Sequence, residues 1–255
     1  MISHATIYLV SSALLGLGAV GLLVATRRLE PSVRRYGYAT VLACGAMSVT
    51  YLLMRAEIGT VTTNEESVVR FVGYTVAWAG ISYVLGAVAD AGPKRTVAVF
   101  ACSMGTLWAT FASWILSGTA GSIASLVILA SFVGLVSLLV GPVARSAASV
   151  DERRTLLYRK LEYLVLLAWA GLIVLGIVSE QNLALTDSFV GQIGATYVDL
   201  VLLLGFGGLV LRNVAALEKT AASTTLLPFF GGGSGGTGDE PGTANRNPDP
   251  GEPAD

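Results

Sequence analysis

Seven apolar stretches alternate with short polar connections along the chain, each about as long as a helix needs to cross a bilayer. They run over roughly 6–26, 36–55, 67–90, 95–116, 120–144, 155–179 and 188–213. The fourth and fifth are joined by a Ser-Gly-Thr-Ala-Gly turn so short that they must be antiparallel neighbours. Only helices or closed barrels satisfy the backbone in lipid, and no alternating apolar–polar pattern suggests a barrel. The pattern therefore predicts an all-α membrane protein, a seven-transmembrane-helix bundle over residues 1–220. From about Gly231 the chain turns Gly-, Pro- and acid-rich, too polar to bury a core. Residues 221–255 are expected to form a disordered tail, with Leu-Leu-Pro-Phe-Phe at 226–230 read as a frayed end rather than an interfacial anchor.

Composition agrees. Charged residues make up 13% of the chain against about 25% in soluble domains, and mean hydropathy is +0.68. A net charge of −1 argues against a nucleic-acid partner and leaves membrane lipid as the surrounding medium. Loop charges are lopsided. Arg27, Arg28, Arg34, Arg35, Lys94, Arg95, Arg145, Arg153, Arg154, Arg159, Lys160, Arg212, Lys219 and Arg246 fall on one side. The other side carries Arg55 with Glu57, Glu65, Glu66, Glu180 and Asp187. The positive-inside rule then predicts a multi-pass cell-membrane protein with its N-terminus outside and its C-terminus in the cytoplasm. The first apolar run lacks a basic leader, so no cleavable signal peptide is expected.

Chemistry-bearing residues are few. Cys44 and Cys102 lie in apolar spans without metal or redox spacing and read as small core residues. The Gly16–Gly21 run matches G-x-G-x-x-G, but it sits inside an apolar helix and reads as a packing surface. His4 is the only histidine, and no nucleophile elbow or zinc spacing occurs, so no enzyme and no metal site is expected. Two charges remain inside the spans, Arg70 and Asp199. An acid at such depth costs about 2.5–3.5 kcal/mol to insert and is a functional candidate by default. Asp199 is expected to pair with Arg70, directly or through water; the alternatives are an Asp sealed by neighbouring hydroxyls and an Arg that snorkels outward. Asp199 is expected to be the sole intramembrane acid, which disfavours a proton relay.

The seventh span, Asp199-Leu-Val-Leu-Leu203-Leu-Gly-Phe-Gly207, resembles the seventh helix of the microbial rhodopsins. The likeness extends to the other spans. Arg70-Phe71-Val-Gly73-Tyr74, Tyr83 and Leu85-Gly86 resemble the third helix, and Tyr51 matches the tyrosine beside the seventh-helix acid. Leu139-Val-Gly-Pro142 ends the fifth span as in sensory rhodopsins, and Tyr158, Leu161, Leu164 and Trp169-Ala170 match the sixth. The subgroup most similar is the haloarchaeal sensory rhodopsins.

In that family the residue four after the Asp is the lysine that binds retinal as an imine. Leu203 stands there, and Gly73 stands at the counterion position. Leucine has no amine to form an imine. The remaining lysines, Lys94, Lys160 and Lys219, lie at the cytoplasmic side. The resemblance thus implies no covalent cofactor and a vestigial pocket of Tyr51, Tyr74, Trp169 and Asp199. Ala77, Leu172 and Gly176 are smaller than their family counterparts, whereas Trp78 and Ile173 are larger. Tyr197 stands where a sensory rhodopsin touches its transducer, and both ends of the subgroup's signalling hydrogen bond are leucines, Leu172 and Leu202. The function expected is an opsin-related, non-photochemical regulatory or sensory interaction module. The alternative is a photoreceptor or ion transporter using noncovalent retinal or carotenoid; a third reading is a transporter of another solute. Partners implied are a transducer-like or carotenoid-pathway membrane protein, or a second copy of the chain.

Overall fold

The computed structural model describes residues 4–60, 67–179 and 183–223. Seven helices are long and apolar enough to span a membrane. They are α1 His4–Arg27, α2 Arg34–Arg55, α3 Val68–Ala89, α4 Gly92–Ile115, α5 Gly118–Ala148, α6 Glu152–Val178 and α7 Ser188–Arg212. A short α8, Val214–Ser223, follows. No strand occurs among the described residues beyond one isolated bridge, Thr60 to Ser67. The disordered tail expected over 221–255 lies outside the described residues from 224 onward, as do Glu65, Glu66 and Glu180.

The helix ends follow from local chemistry. Asp151 and Asp187 cap α6 and α7 by accepting the backbone N–H of Arg153 and Val190, at 3.0 and 2.8 Å. Asp90 closes α3 in the left-handed region, and Pro93 opens α4 where its missing N–H is harmless. Helix α5 runs further than its apolar stretch suggested. Pro142 cannot donate to the ladder, so the helix widens into a π turn over Leu139–Val143 and then continues to Ala148. The Tyr158 hydroxyl of α6 donates to the Leu139 carbonyl at 2.7 Å and fastens that turn.

Helix α3 is the central post, packed against α2, α4, α6 and α8; α7 closes the bundle on α1, α2 and α6. The α2–α3 contact is close because Gly80 faces the Ala39 carbonyl; a Cβ there would lie 2.7 Å from that oxygen. Gly18 meets Leu204, so the glycine run of α1 serves helix packing. Cys44 and Cys102 form no disulfide with each other. The core holds three layers of rings. Tyr8 and Tyr51 lie toward the N-terminal end, Trp78 and Trp169 in the middle, and Tyr36 and Tyr83 toward the other end.

That other end gathers the α1–α2, α3–α4 and α5–α6 connections and α8, and is called here the basic end. Arg154, 3% exposed, reaches back to the end of α3. Its Nε and Nη2 donate to the carbonyls of Val88 and Ala87 at 3.1 and 2.9 Å. These carbonyls lie in the last turn of α3, where helix partners run out and positive charge is favoured. Lys219 of α8 bonds Asp151, which holds the Asp151 carboxyl below its usual range, helped by the Arg153 N–H. That contact is therefore present above the ordinary carboxylate range and is lost as pH falls through the lowered value.

Replacing Arg154 with Met keeps an unbranched stem but removes both donors, leaving the buried Val88 carbonyl without its side-chain partner and the Ala87 carbonyl with the Asp90 N–H alone. Arg154→Met is expected to cost about 1.5–3 kcal/mol of stability, read as a lower thermal midpoint of the purified protein. An unchanged midpoint would show that α3 ends without this cap.

Candidate functional site

On α7, Gln192, Thr196, Asp199 and Leu203 recur at helical spacing and share one face. On α3, Arg70 and Tyr74 are four residues apart and do the same. Tyr51 of α2 completes the group. Asp199 is 1% exposed and Arg70 8%.

Every oxygen of the acid is engaged. The Tyr51 hydroxyl donates to Asp199 Oδ2 at 2.5 Å. The Tyr74 hydroxyl lies 2.7 Å from Oδ2 and 2.9 Å from Oδ1. Arg70 Nη2 stands 4.0 Å from Oδ2, at the edge of direct contact. Its Nε donates to the Tyr74 hydroxyl at 3.4 Å and its Nη1 to Gln192 Oε1 at 3.0 Å. Gln192 Nε2 in turn donates to Thr196 Oγ1 at 3.1 Å. The network thus runs from the carboxylate through two phenols to a guanidinium and an amide. A carboxylate buried at this depth is tolerable only with its lone pairs filled and an opposite charge near.

The remaining pocket residues take different places. Leu203, 4% exposed, lies one turn beyond Asp199 on α7. Gly73 is buried against α2. A Cβ at Gly73 would overlap the Thr50 hydroxyl and come within 3.1 Å of Met47 Sδ. The space a side chain at Gly73 would need is therefore taken by α2 side chains. Trp169 stacks on Trp78 with ring centroids 5.1 Å apart at 30°, and Phe132 flanks it at 6.5 Å. The Trp169 indole N–H and the Ser82 hydroxyl are buried without a hydrogen-bond partner among the described residues. Gly176 is exposed and does not line this core. Tyr197 points away from the site, 68% exposed, in a stripe with Val190, Ile193 and Val201.

Two buried charges escaped the sequence reading. Arg154 was counted among the loop charges. Glu162 was not singled out, yet it is 1% exposed within α6 and accepts from Arg159 Nη1 at 3.0 Å. Asp199 is thus not the sole buried acid of the spanning helices. The signal was present: Glu162 falls inside the sixth apolar stretch, three residues after an Arg that could follow it into the core. The adjacent Arg159-Lys160 pair gives this stretch the look of a solvated helix end. No group of three or more metal-ligating side chains occurs among the described residues.

The network makes a measurable demand. Asp199→Asn or Arg70→Gln leaves a buried charge without its partner and is expected to cost about 3–5 kcal/mol. The double variant is expected to lose less than the sum, because the orphaned charge is gone. Tyr51→Phe and Tyr74→Phe are each expected to cost about 1.5–3 kcal/mol. Thermal or denaturant unfolding of the five variants reads this; strict additivity of Asp199→Asn and Arg70→Gln in the double variant would show that the two do not interact.

The chain is similar in sequence and fold to known proteins. Over 216 residues the chain is 28% identical to sensory rhodopsin-2 of Natronomonas pharaonis, covering 81% of this chain and 90% of that protein. The fold is similar to the thermophilic rhodopsin of Rubrobacter xylanophilus, with a TM-score of 0.79 and 18% identity, covering 86% of this chain and all of that one. It is also similar to halorhodopsin, a light-driven chloride pump, with a TM-score of 0.72 and 22% identity, covering 86% of this chain and 97% of that one. The family model for bacteriorhodopsin-like proteins matches residues 3–217, and the chain is a multi-pass membrane protein belonging to that family.

Proposed function

We propose that this protein is a rhodopsin-fold module that works without a retinal imine, passing a signal or a regulatory contact to another membrane protein. The observation that carries the reading is the placement of its amines. An imine needs a lysine buried beside the acid, and Leu203 stands one turn from Asp199 with an alkyl end. The three lysines of the chain, Lys94, Lys160 and Lys219, are all exposed at the basic end.

The surrounding geometry supports it. A polyene between two aromatic faces needs a contact of about 3.5 Å on each side, and the Trp78–Trp169 stack at 5.1 Å leaves no such slot. Asp199 has its charge answered by Tyr51, Tyr74 and Arg70, so the acid is satisfied without a cationic imine. The residues present do not fit covalent retinal. In this reading Arg70 and Asp199 are a structural pair that ties α3 to α7. The basic end faces the cytoplasm, in keeping with the charge asymmetry. The exposed α7 stripe that includes Tyr197 would meet the helices of a transducer-like or carotenoid-pathway protein, as the sensory character of the relative suggests.

One observation favours a second reading. The buried Trp169 N–H has no acceptor among the described residues, and a noncovalent retinal or carotenoid with a polar end group would supply one.

Adding all-trans retinal to the purified protein separates these readings. No red-shifted band and no borohydride-trapped adduct is the expected result. A band lost on solvent extraction would favour the second reading, and a trapped adduct would overturn the first. Leu203→Lys alone is expected to stay colourless, because the indoles still occupy the slot. Leu203→Lys with Trp78→Thr, which removes one of them, is the variant expected to regain colour.

A further inference from the structure

The near-neutral charge of the chain hides a strong segregation. The basic end, counted over 27–35, 90–95, 144–162 and 212–219, holds thirteen Lys and Arg against six Asp and Glu, a net +7. The opposite end, over 55–70 and 180–199, carries −4. Residues 224–255 carry five acids and one Arg, again −4. Two acids of the basic end are already engaged, Asp151 with Lys219 and Glu162 with Arg159. Arg27, Arg28, Lys94, Arg145, Lys160 and Arg212 stand exposed around them.

We propose that this face is a docking surface for the chain's own acidic C-terminal segment, residues 239–255. Three arguments favour that occupant. The first is complementarity of charge, with Asp239, Glu240, Asp249, Glu252 and Asp255 opposite the +7 surface. The second is attachment. Helix α8 packs on α3 and α6 at the basic end, its Lys219 bonded to Asp151, so the segment leaves the bundle at that face whichever way the protein lies in the membrane. The third is reach. Thirty-two residues follow Ser223; a Gly-rich linker of such a length has a typical end-to-end distance of about 30 Å, comparable with a bundle a few helices of about 10 Å across. Such a tether holds its end at an effective concentration of order millimolar. The contact is electrostatic and therefore salt-sensitive. Screening acts over about 10 Å at 0.1 M salt and about 3 Å at 1 M.

The lysines make the surface easy to read, because all three lie on it. Carbodiimide joins a carboxylate to a lysine amine at contact distance. The full chain in nanodiscs of zwitterionic lipid at 0.1 M salt is expected to give intramolecular links from the 239–255 peptide to Lys94 and Lys160, found by mass spectrometry. Lys219 is too near in sequence to be informative. The links are expected to fall severalfold at 1 M salt. A spin label on Ser234→Cys is expected to become more mobile in the D239N/E240Q/D249N/E252Q/D255N variant, which leaves the helices untouched. Links absent at low salt, or label mobility indifferent to the five substitutions, would overturn the proposal. So would links only between two copies, which would assign the surface to a second chain. Loss of the links in phosphatidylglycerol nanodiscs would assign it to anionic headgroups instead.

Discussion

A carboxylate in the middle of a lipid-embedded bundle must be compensated on every side, and the packing of three helices answers to that requirement at Asp199. Water cannot supply the hydrogen bonds, so the protein must. Tyr51 comes from α2, Tyr74 and Arg70 from α3, and the acid itself from α7. Each donor is held at a set depth and rotation of its helix, so the network fixes how the three helices register against one another. Gln192 and Thr196 extend the same constraint along α7. Gly73 lets α2 come close enough for the Tyr51 hydroxyl to arrive, since any side chain there would meet Thr50.

The rest of the interior is closed by rings. Trp78 and Trp169 stack where α3 faces α6, and Tyr36 and Tyr83 stack nearer the basic end. Tyr158 fastens the π turn that Pro142 forces on α5. Between these layers two polar atoms, on Ser82 and Trp169, remain buried without acceptors among the described residues. Buried polar groups of this kind are commonly met by an internal water. The basic end is organised by a different rule. Its charges either bind backbone, as Arg154 does on α3, or pair locally, as Lys219 does with Asp151, or face the solvent. The two ends of the molecule are thus held by unlike means, a dry hydrogen-bonded network and a wet charged surface.

Much of this was legible in the residue order. Hydropathy located all seven spans, because twenty apolar residues in a row admit few structures other than a crossing helix. Asp199 and Arg70 stood out because charge in such a run is rare and costly. The extension of α5 past Pro142 was not legible. A proline normally argues for a helix end; here the ladder widens into a π turn and the Tyr158 hydroxyl from another helix takes up the Leu139 carbonyl. Glu162 was hidden by its neighbours Arg159 and Lys160, which gave the start of α6 the look of a solvated surface.

The sequence by itself determined the membrane-spanning character, the number of spanning helices, the segregation of charge and the absence of a lysine from the seventh apolar span. Each of these depends on composition along a single segment, which the bilayer reads directly. Tertiary structure decided which tyrosines share the carboxylate, that Arg70 stands beside it at 4.0 Å, and that two indoles meet in the middle. It also decided that Arg154 and Glu162 are buried. Those outcomes depend on the rotation and depth of separate helices, and a linear pattern carries no information about one helix's angle relative to another's.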